Sequence, residues 1–239
     1  MVSIHVGVEI DEAGLAMAWV QEYLGCTSHG KSQEEAVQLL PDALRVFWSW
    51  LRAHGEPDVP EDAEDIEIQE IEVCHVQSQL VDGDSEGSFA FDRHPLTPAE
   101  LQRALRYMSY ARSDVVALAH DLDRQALQQV VGRSGRSIGA TLNHLAFTDL
   151  WYAQRADVIG DGSWEAYLLD RLRDMAVEWV QRAFEDGHQA AESIVGPNAW
   201  GNDGRPESWT LAKTLRRYVW HDLLHTRAMR RALPEVTER

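Results

Sequence analysis

The segment Trp220–Met229 reads WHDLLHTRAM and carries two histidines, His221 and His225, four residues apart. The segment has helical character throughout, so both imidazoles project from one face of a helix, about 5–6 Å apart at Cβ. Two histidines at this spacing can share a metal ion. Because a chain with ten histidines also produces chance pairs, a pair of ordinary surface or core histidines remains the alternative interpretation.

A third candidate ligand is His144, in the segment 137–155, which reads SIGATLNHLAFTDLWYAQR. Its apolar residues recur at helical spacing. His144 lies on or beside this apolar stripe, where an imidazole without a partner is costly. A buried histidine bonded to a carbonyl group is the alternative for His144 alone. Two helices that each offer inward histidines favour a metal site.

Length and composition predict a protein of one large domain or two smaller ones, since the chain has 239 residues. It contains no run of 18 apolar residues, and its N-terminus lacks the pattern of a secretion signal. We therefore expect a soluble, cytoplasmic protein that does not bind membranes. Cys26 and Cys74 form no disulfide framework or metal-ligand spacing, and we expect both to be reduced and structural.

Charge is distributed unevenly along the chain, whose formal net charge is −17. Residues 1–95 contain 20 acidic and 4 basic side chains, whereas residues 96–239 contain 19 and 18. Phosphate backbones would repel the first half, and the second half has no net positive field to attract them. This distribution argues against a nucleic-acid partner.

The N-terminal residues predict a β-hairpin followed by a helix. Residues 2–10 alternate and are rich in β-branched side chains, a DEAG turn follows, and residues 15–20 form a second apolar run. After a predicted loop, Ser32 and Glu35 form a capping-box pattern ahead of an apolar-periodic run that extends to about His54.

A further strand is predicted at 66–77, IEIQEIEVCHVQ, whose alternation slips once in phase, as at a β-bulge. Residues 1–80 are thus predicted to form a ββαβ domain. Their segment GCTSHGKSQEEAVQLLPDAL resembles the HicB-like antitoxin family over about residues 2–76. The resemblance implies a protein partner for this domain, and an accessory module that packs on its neighbour is the alternative. Because no DNA-binding motif follows it, the DNA-binding role of that family is not expected here.

Residues 81–96 have the Gly, Asp and Ser content of a linker, with Phe89 and Phe91 attaching it to a surface. The remainder, 97–239, is predicted to be helical. The expected helices are 97–120, 137–157, 164–186 and 208–233.

Capping residues support these four helices. Thr97 with Glu100 forms a capping box, and Ser163 and Ser208 precede the third and fourth helices. The glycines of 132–139 fit no phosphate-binding motif, so this stretch is predicted to be a turn in which Ser134 or Ser137 caps the second helix. The expected fold class is α+β, a small N-terminal ββαβ domain followed by an up-down four-helix bundle.

The histidine of TLNHLAFTDLWYAQR and the HxxxH of WHDLLHTRAMRR resemble the DinB-like superfamily of four-helix metal proteins. That superfamily includes bacillithiol and mycothiol transferases and the mycothiol-dependent maleylpyruvate isomerase. The resemblance covers about residues 97–233. It implies Ni²⁺, Zn²⁺ or Fe²⁺ bound by His144, His221 and His225.

Three imidazoles leave an open coordination position, which is typical of catalytic metals. We therefore expect a metal-activated thiol or water that attacks a small electrophilic substrate, in an S-transferase or hydrolase reaction. Asp222 and Asp149 are candidates to orient the ligating histidines or to shuttle protons, or they are exposed helix charges. Trp151, Tyr218 and Trp220 are either pocket walls or ordinary core residues.

A thiol would have to arrive as a cofactor such as bacillithiol, mycothiol or glutathione, because residues 97–239 contain no cysteine. Arg136, Arg216 and Arg217 are candidates to hold its carboxylates, or they are solvated helix charges.

Two other interpretations stay open. The metal could staple two helices of a non-enzymatic sensor or adaptor, whose acidic N-terminal domain binds a partner protein. Alternatively, the site is degenerate and binds no metal. A homodimer is a further expectation, because bundles of the resembled superfamily often dimerise.

Overall fold

Both strands and long helices make up the fold, which is of the mixed α+β class. The computed structural model describes residues 2–61, 65–80, 85–131, 135–155, 169–188, 193–195 and 207–233. The chain divides into two compact units. The first consists of Met1–His94 and Ile194–Trp209, and the second of Pro95–Ser193 and Thr210–Arg239. No helix of the described residues is long and apolar enough to cross a membrane.

A four-stranded sheet forms the core of the first unit. The predicted hairpin is confirmed as β1 (Val2–Ile10) and antiparallel β2 (Ala16–Val20). β3 (Thr27–Gly30) pairs with β2, and β4 (Ile66–His75) runs parallel to β1, so the strand order is β3-β2-β1-β4. β3 was predicted as loop, because its four residues, TSHG, show no apolar alternation. The element order is therefore βββαβ and not ββαβ.

The helix of this unit, α1 (Gln33–Ala53), begins as predicted. The Ser32 hydroxyl accepts a hydrogen bond from the backbone N–H of Glu35, and the Glu35 carboxylate accepts one from the backbone N–H of Lys31. The first bond satisfies a donor that the first turn of a helix leaves without an intrahelical partner. The second is made by Lys31, one residue before the N-cap, so only half of the predicted capping box forms. Its apolar face packs on β2 and β3. The large buried residues of that face are Leu40, Leu44, Phe47, Trp48 and Leu51.

The bulge predicted in β4 is present. Val6 of β1 faces Glu70, whereas the next residue, Gly7, faces Glu72, so β4 has one extra residue at Ile71. An extra residue shifts the alternation of a strand by one position, which accounts for the phase slip in the sequence.

Residues 85–93, within the segment predicted as a linker, are held on the sheet by a buried carboxylate. Glu9 is fully buried and accepts hydrogen bonds from the Trp19 indole N–H at 2.7 Å and the Gly87 backbone N–H at 2.7 Å. Phe89 is also fully buried, which agrees with the prediction that this residue attaches the segment to a surface. The division between the two units falls after His94.

We predict that Gly7→Ala destabilises the protein by about 1–3 kcal/mol, the usual cost of overpacking a filled core. A Cβ at position 7 would lie 2.6 Å from Cδ1 and 2.7 Å from Cγ of the Phe89 ring. Urea unfolding monitored by tryptophan fluorescence measures the loss. Ser3→Ala, at an exposed position of the same strand, is the control and should change stability by less than about 0.5 kcal/mol. Equal effects of the two changes would contradict the packing of Phe89 on Gly7.

The second unit begins with α2 (Pro98–Ala119), whose predicted capping box is confirmed by reciprocal bonds between Thr97 and Glu100. A short helix, α3 (Arg124–Leu127), and a two-stranded ribbon of β5 (Val130–Val131) and β6 (Arg136–Ser137) follow. β6 leads directly into α4 (Ile138–Arg155). The Ser137 hydroxyl accepts a hydrogen bond from the Ala140 N–H, as expected for a capping residue.

Two further helices complete this unit, α5 (Leu169–Glu185) and α6 (Leu211–Ala232). In the chain between these two helices, β7 (Ser193–Val195) and β8 (Glu207–Trp209) pair in a small sheet, which belongs almost entirely to the first unit. The prediction that Ser208 caps the last helix is wrong, because Ser208 lies in β8 and the Thr210 hydroxyl accepts the capping bond from Lys213 N–H. The predicted helix start at Ser163 and most of the predicted loop 187–205 lie outside the described residues.

Among the four long helices of this unit, α2 packs on α6, α4 on α5, and α4 on α6. A shared core cluster lies where α2, α4 and α6 meet, and its buried members are Val115, Ile138, Leu145, Met229 and Ala232. A second cluster between α4 and α5 contains mostly small residues, namely Ala146, Leu150, Ala153, Trp179 and Ala183. The helices that carry the candidate ligands, α4 and α6, therefore pack directly on each other.

Candidate metal centre

The two histidines of α6 lie one above the other on the same face of that helix. Their Nε2 atoms are 3.1 Å apart and their ring centroids 4.5 Å apart. An α-helix has 3.6 residues per turn, so residues four apart meet on one face. His221 is buried, with 8 % of its surface exposed, and His225 is partly exposed.

α4 brings His144 to the same point. Its Nε2 lies 3.1 Å from Nε2 of His221, and its ring centroid lies 5.1 Å from that of His225. The three side chains offer ligand atoms that all lie within 4.8 Å of one another. We call these three residues the histidine triad.

Hydrogen bonds alone cannot satisfy this arrangement. Each ring nitrogen of a neutral imidazole either donates through one proton or accepts through one lone pair. Nε2 of His221 has two nitrogen neighbours at 3.1 Å, so it can make a well-directed hydrogen bond to only one of them. A cation between the three nitrogens would satisfy all of their lone pairs at once.

The nitrogen separations fit a divalent metal ion. Two nitrogens 3.1 Å apart, each about 2.1 Å from a common ion, would subtend an angle of roughly 95° at that ion. This angle is closer to the 90° of octahedral coordination than to the tetrahedral value. Imidazole ligands suit zinc, nickel and iron alike, so the donor set is compatible with each of the expected metals.

The protonation state of the triad also suits a metal. Burial, with a contribution from the charge of Arg136, lowers the pKa of His144 to about 4. Burial, His144 and Arg136 lower the pKa of His225 to about 4, against an opposing effect of Asp222. Burial and the other two histidines hold the pKa of His221 well below its usual value. All three imidazoles are therefore neutral near pH 7, which is the form that binds metals.

The two carboxylates considered as groups that orient the histidines or shuttle protons lie in a buried charge network. Asp149 on α4 and Asp222 on α6 each accept hydrogen bonds from Arg112 of α2 and from Arg173 of α5. All four side chains are 1–6 % exposed. We call these four residues the charge ring. Within the described residues, no hydrogen bond joins either carboxylate to the histidine triad.

Distances in the charge ring are those of strong ion pairs. Arg112 Nη2 lies 2.8 Å from Asp149 Oδ2 and 3.1 Å from Asp222 Oδ1. Arg173 Nη2 lies 2.7 Å from Asp149 Oδ1 and 2.9 Å from Asp222 Oδ2. Each arginine therefore bridges both carboxylates. Burial raises the pKa of Asp149, against the opposing charges of Arg173 and Arg112.

Sequence reasoning did not single out Arg112 or Arg173. A signal exists, because Arg112 is four residues after buried Met108 and three before buried Val115, on the apolar stripe of α2. Arg173 likewise lies three residues before buried Ala176 of α5. An arginine on an inward stripe indicates a buried partner, since charged side chains are rarely buried unless paired.

Aromatic residues surround the triad unevenly. The ring of Tyr152, which is eight residues after His144 on α4, packs edge-on against His221 with a centroid distance of 5.7 Å. Tyr218 is buried on the charge ring instead, where its hydroxyl donates to the backbone carbonyl of Asp149. Trp220 is buried with its centroid 6.3 Å from that of His221, and Trp151 is partly buried.

The three arginines considered as anion-binding groups differ in exposure. Arg136 is exposed on β6, just before the start of α4, whereas Arg216 and Arg217 are buried on α6. The guanidinium of Arg217 stacks on Trp220, 4.8 Å from the ring centroid, and also faces Tyr152. Arg136 is therefore the arginine of these three that solvent and a ligand can reach most directly.

No protein-family model, curated protein or solved structure matches this chain. The functional interpretation therefore rests on the residues and geometry of the site.

Proposed function

We propose that the second unit is an up-down four-helix bundle of the DinB-like type whose histidine triad binds one divalent metal ion. The grouping of the three imidazoles, in which Nε2 of His221 lies 3.1 Å from Nε2 of both His144 and His225, carries this proposal. The proposed activity is an S-transferase or hydrolase reaction, in which a thiol or water attacks a small electrophile. Ni²⁺, Zn²⁺ and Fe²⁺ are the candidate metals.

When bound, a divalent ion would supply a positive charge that lowers the pKa of a thiol or water ligand. The three neutral imidazoles hold no negative charge that would cancel this effect. In the reaction, the S–H or O–H proton is released, and a bond forms from sulfur or oxygen to the electrophilic atom. The electron pair of the broken bond leaves with the leaving group.

One side of the histidine triad is shielded from solvent, and the other side is open to a nucleophile. Tyr152 packs against His221 on the buried side, where it excludes water. His144 and His225 are partly exposed, so a ligand can approach from their side. Since residues 97–239 contain no cysteine, a thiol nucleophile would come from a low-molecular-weight cofactor.

Metal content of the untagged protein, measured by elemental mass spectrometry, is the test of metal binding. About one Ni, Zn or Fe per chain is expected, and less than about 0.1 after reloading with each metal would overturn the proposal. A thiol added to the Co²⁺-loaded or Ni²⁺-loaded protein should produce a sulfur-to-metal charge-transfer band. Metal binding without this band would exclude the thiol reaction and leave the hydrolase reaction.

If removal of the metal abolished both folding and partner binding, this result would instead support the non-enzymatic adaptor. A catalytic metal leaves most of the fold intact when it is removed, whereas a structural metal contributes folding free energy directly. Circular dichroism and thermal unfolding before and after treatment with a chelator measure this difference.

We predict that Arg136→Gln weakens binding of an anionic thiol, mercaptoacetate, by about two- to fivefold, which is the 0.5–1 kcal/mol of an exposed ion pair. Neutral mercaptoethanol should bind equally well to both proteins, because only the anion interacts with the guanidinium. Titration of the charge-transfer band gives both affinities. Arg124→Gln, at another exposed arginine, is the control, and an equal effect of both changes would exclude Arg136 as an anion-binding residue.

A further inference from the structure

The charge ring takes one member from each of the four long helices of the second unit. Arg112 comes from α2 and Arg173 from α5, which carry no triad residue, and the carboxylates come from α4 and α6, which carry all three histidines. Two arginines from the outer helices thus clamp the two helices that present the histidine triad.

The clamp lies close to the ligands along both helices. Asp222 follows His221 directly in the chain, and Asp149 is five residues after His144, about 7.5 Å along the axis of α4. At the same level, the Tyr218 hydroxyl of α6 donates to the backbone carbonyl of Asp149, with an O···O distance of 2.5 Å. Hydrogen bonds therefore hold both the side chain and the backbone of Asp149, within one or two helical turns of the candidate metal ligands.

The apolar contact between α4 and α5 combines small and large side chains. Its buried cluster contains Ala146, Ala153 and Ala183 beside Leu150 and Trp179. Apolar contacts are non-directional, whereas an arginine and a carboxylate form paired hydrogen bonds only in a narrow range of directions. The charge ring therefore adds directional contacts to the apolar packing of α4.

Stability does not by itself explain the ring. Replacing a buried ion pair by apolar residues of similar volume is often neutral or stabilising, because desolvation of the charges offsets their attraction. A metal site, in contrast, needs its ligands within about 0.5 Å of the binding geometry. The ring supplies directional contacts where such placement is needed.

We propose that the charge ring is the positioning device of the metal site, which fixes α4 against α6 so that the three Nε2 atoms converge. Arg112, Asp149, Arg173 and Asp222 are thus positioning residues and do not bind the metal. This inference rests on the proposed function. It adds that metal affinity depends on four residues that never contact the ion.

The test separates positioning from stability. In the full chain, Arg112→Met, Arg173→Met, Asp149→Leu and Asp222→Leu are combined, and Ni²⁺ affinity is measured by calorimetry beside the thermal midpoint of the metal-free protein. We expect a midpoint equal to or above that of the wild type, but a ten- to hundredfold loss of affinity, the usual effect of disturbing groups that orient metal ligands. The absorption spectrum of the Co²⁺-loaded variant should also change, since the ligand geometry changes.

A folded quadruple variant whose Ni²⁺ affinity and Co²⁺ spectrum equal those of the wild type overturns the inference and leaves the proposed function intact. A wild type that binds none of Ni²⁺, Zn²⁺ and Fe²⁺ overturns the proposed function, and the inference with it. If the quadruple variant does not fold, Arg173→Lys decides, because lysine keeps the charge but cannot form the fork that bridges Asp149 and Asp222. Weakening of at least tenfold in that folded variant supports positioning, and a smaller change refutes it.

Discussion

Arg112→Ala is expected to destabilise the protein by about 3–5 kcal/mol, the cost of removing one partner from a buried ion pair. The guanidinium donates to both Asp149 and Asp222, which are 3 % and 1 % exposed at their side chains. After its removal, Arg173 alone faces two buried carboxylates, so one negative charge remains uncompensated. Chemical denaturation measured by circular dichroism gives the free energy of unfolding.

A matched control exists on the same pair of helices. Arg230 of α6 lies 3.6 Å from Asp114 of α2, and its side chain is 56 % exposed. Solvent screens such a pair, so Arg230→Ala should cost less than about 1 kcal/mol. If the two arginine variants lost the same stability, the charge ring would not be a buried, mutually dependent network.

The effects of substitutions at Arg112 and Asp149 should depend on each other. When Asp149→Ala is added to Arg112→Ala, the ring keeps one arginine and one carboxylate, and the uncompensated charge disappears. The double variant should therefore be less destabilised than the sum of the two single variants, since groups in one ion-pair network are not additive. An additive result would contradict the ring as the source of the effect.

Local signals account for the parts of the fold that the sequence predicted. The helix caps at Ser32 and Thr97 each involve a glutamate three residues later, so their pattern is visible in the chain itself. The strand Thr27–Gly30 was not predicted, because its four residues are polar or small and show no strand pattern. They form a strand only through pairing with β2, which is a tertiary interaction. The same reason explains Ser208, which is held in β8 by its partner strand and leaves capping to Thr210.

The candidate site divides in the same way. That His221 and His225 share one face follows from their spacing alone, whereas their proximity to His144 depends on how α4 packs on α6. The sequence left open whether Asp149 and Asp222 are exposed charges or groups that support the site. That choice depends on Arg112 and Arg173, which lie between 24 and 110 residues away from the two carboxylates in the chain.

His221→Ala is expected to weaken Ni²⁺ binding by more than about 100-fold, beyond the 10–100-fold effect of losing a group that only orients a ligand. His221 is the member of the triad whose Nε2 makes both 3.1 Å contacts, and it is the most buried of the three. Its removal leaves His144 and His225 with ring centroids 5.1 Å apart and no ligand between them. Calorimetric titration of the metal-free variant measures the loss.

Thermal stability gives an independent measurement of the same change. A ligand that binds only the folded state at 1,000 times its dissociation constant stabilises that state by about 4 kcal/mol, so Ni²⁺ should raise the thermal midpoint of the wild type but not that of His221→Ala. His120→Ala is the control, because that imidazole is 77 % exposed and pairs with Asp121. An unchanged response to Ni²⁺ in His221→Ala would show that the metal binds elsewhere, and the proposed metal-activated nucleophile would then have no site in this unit.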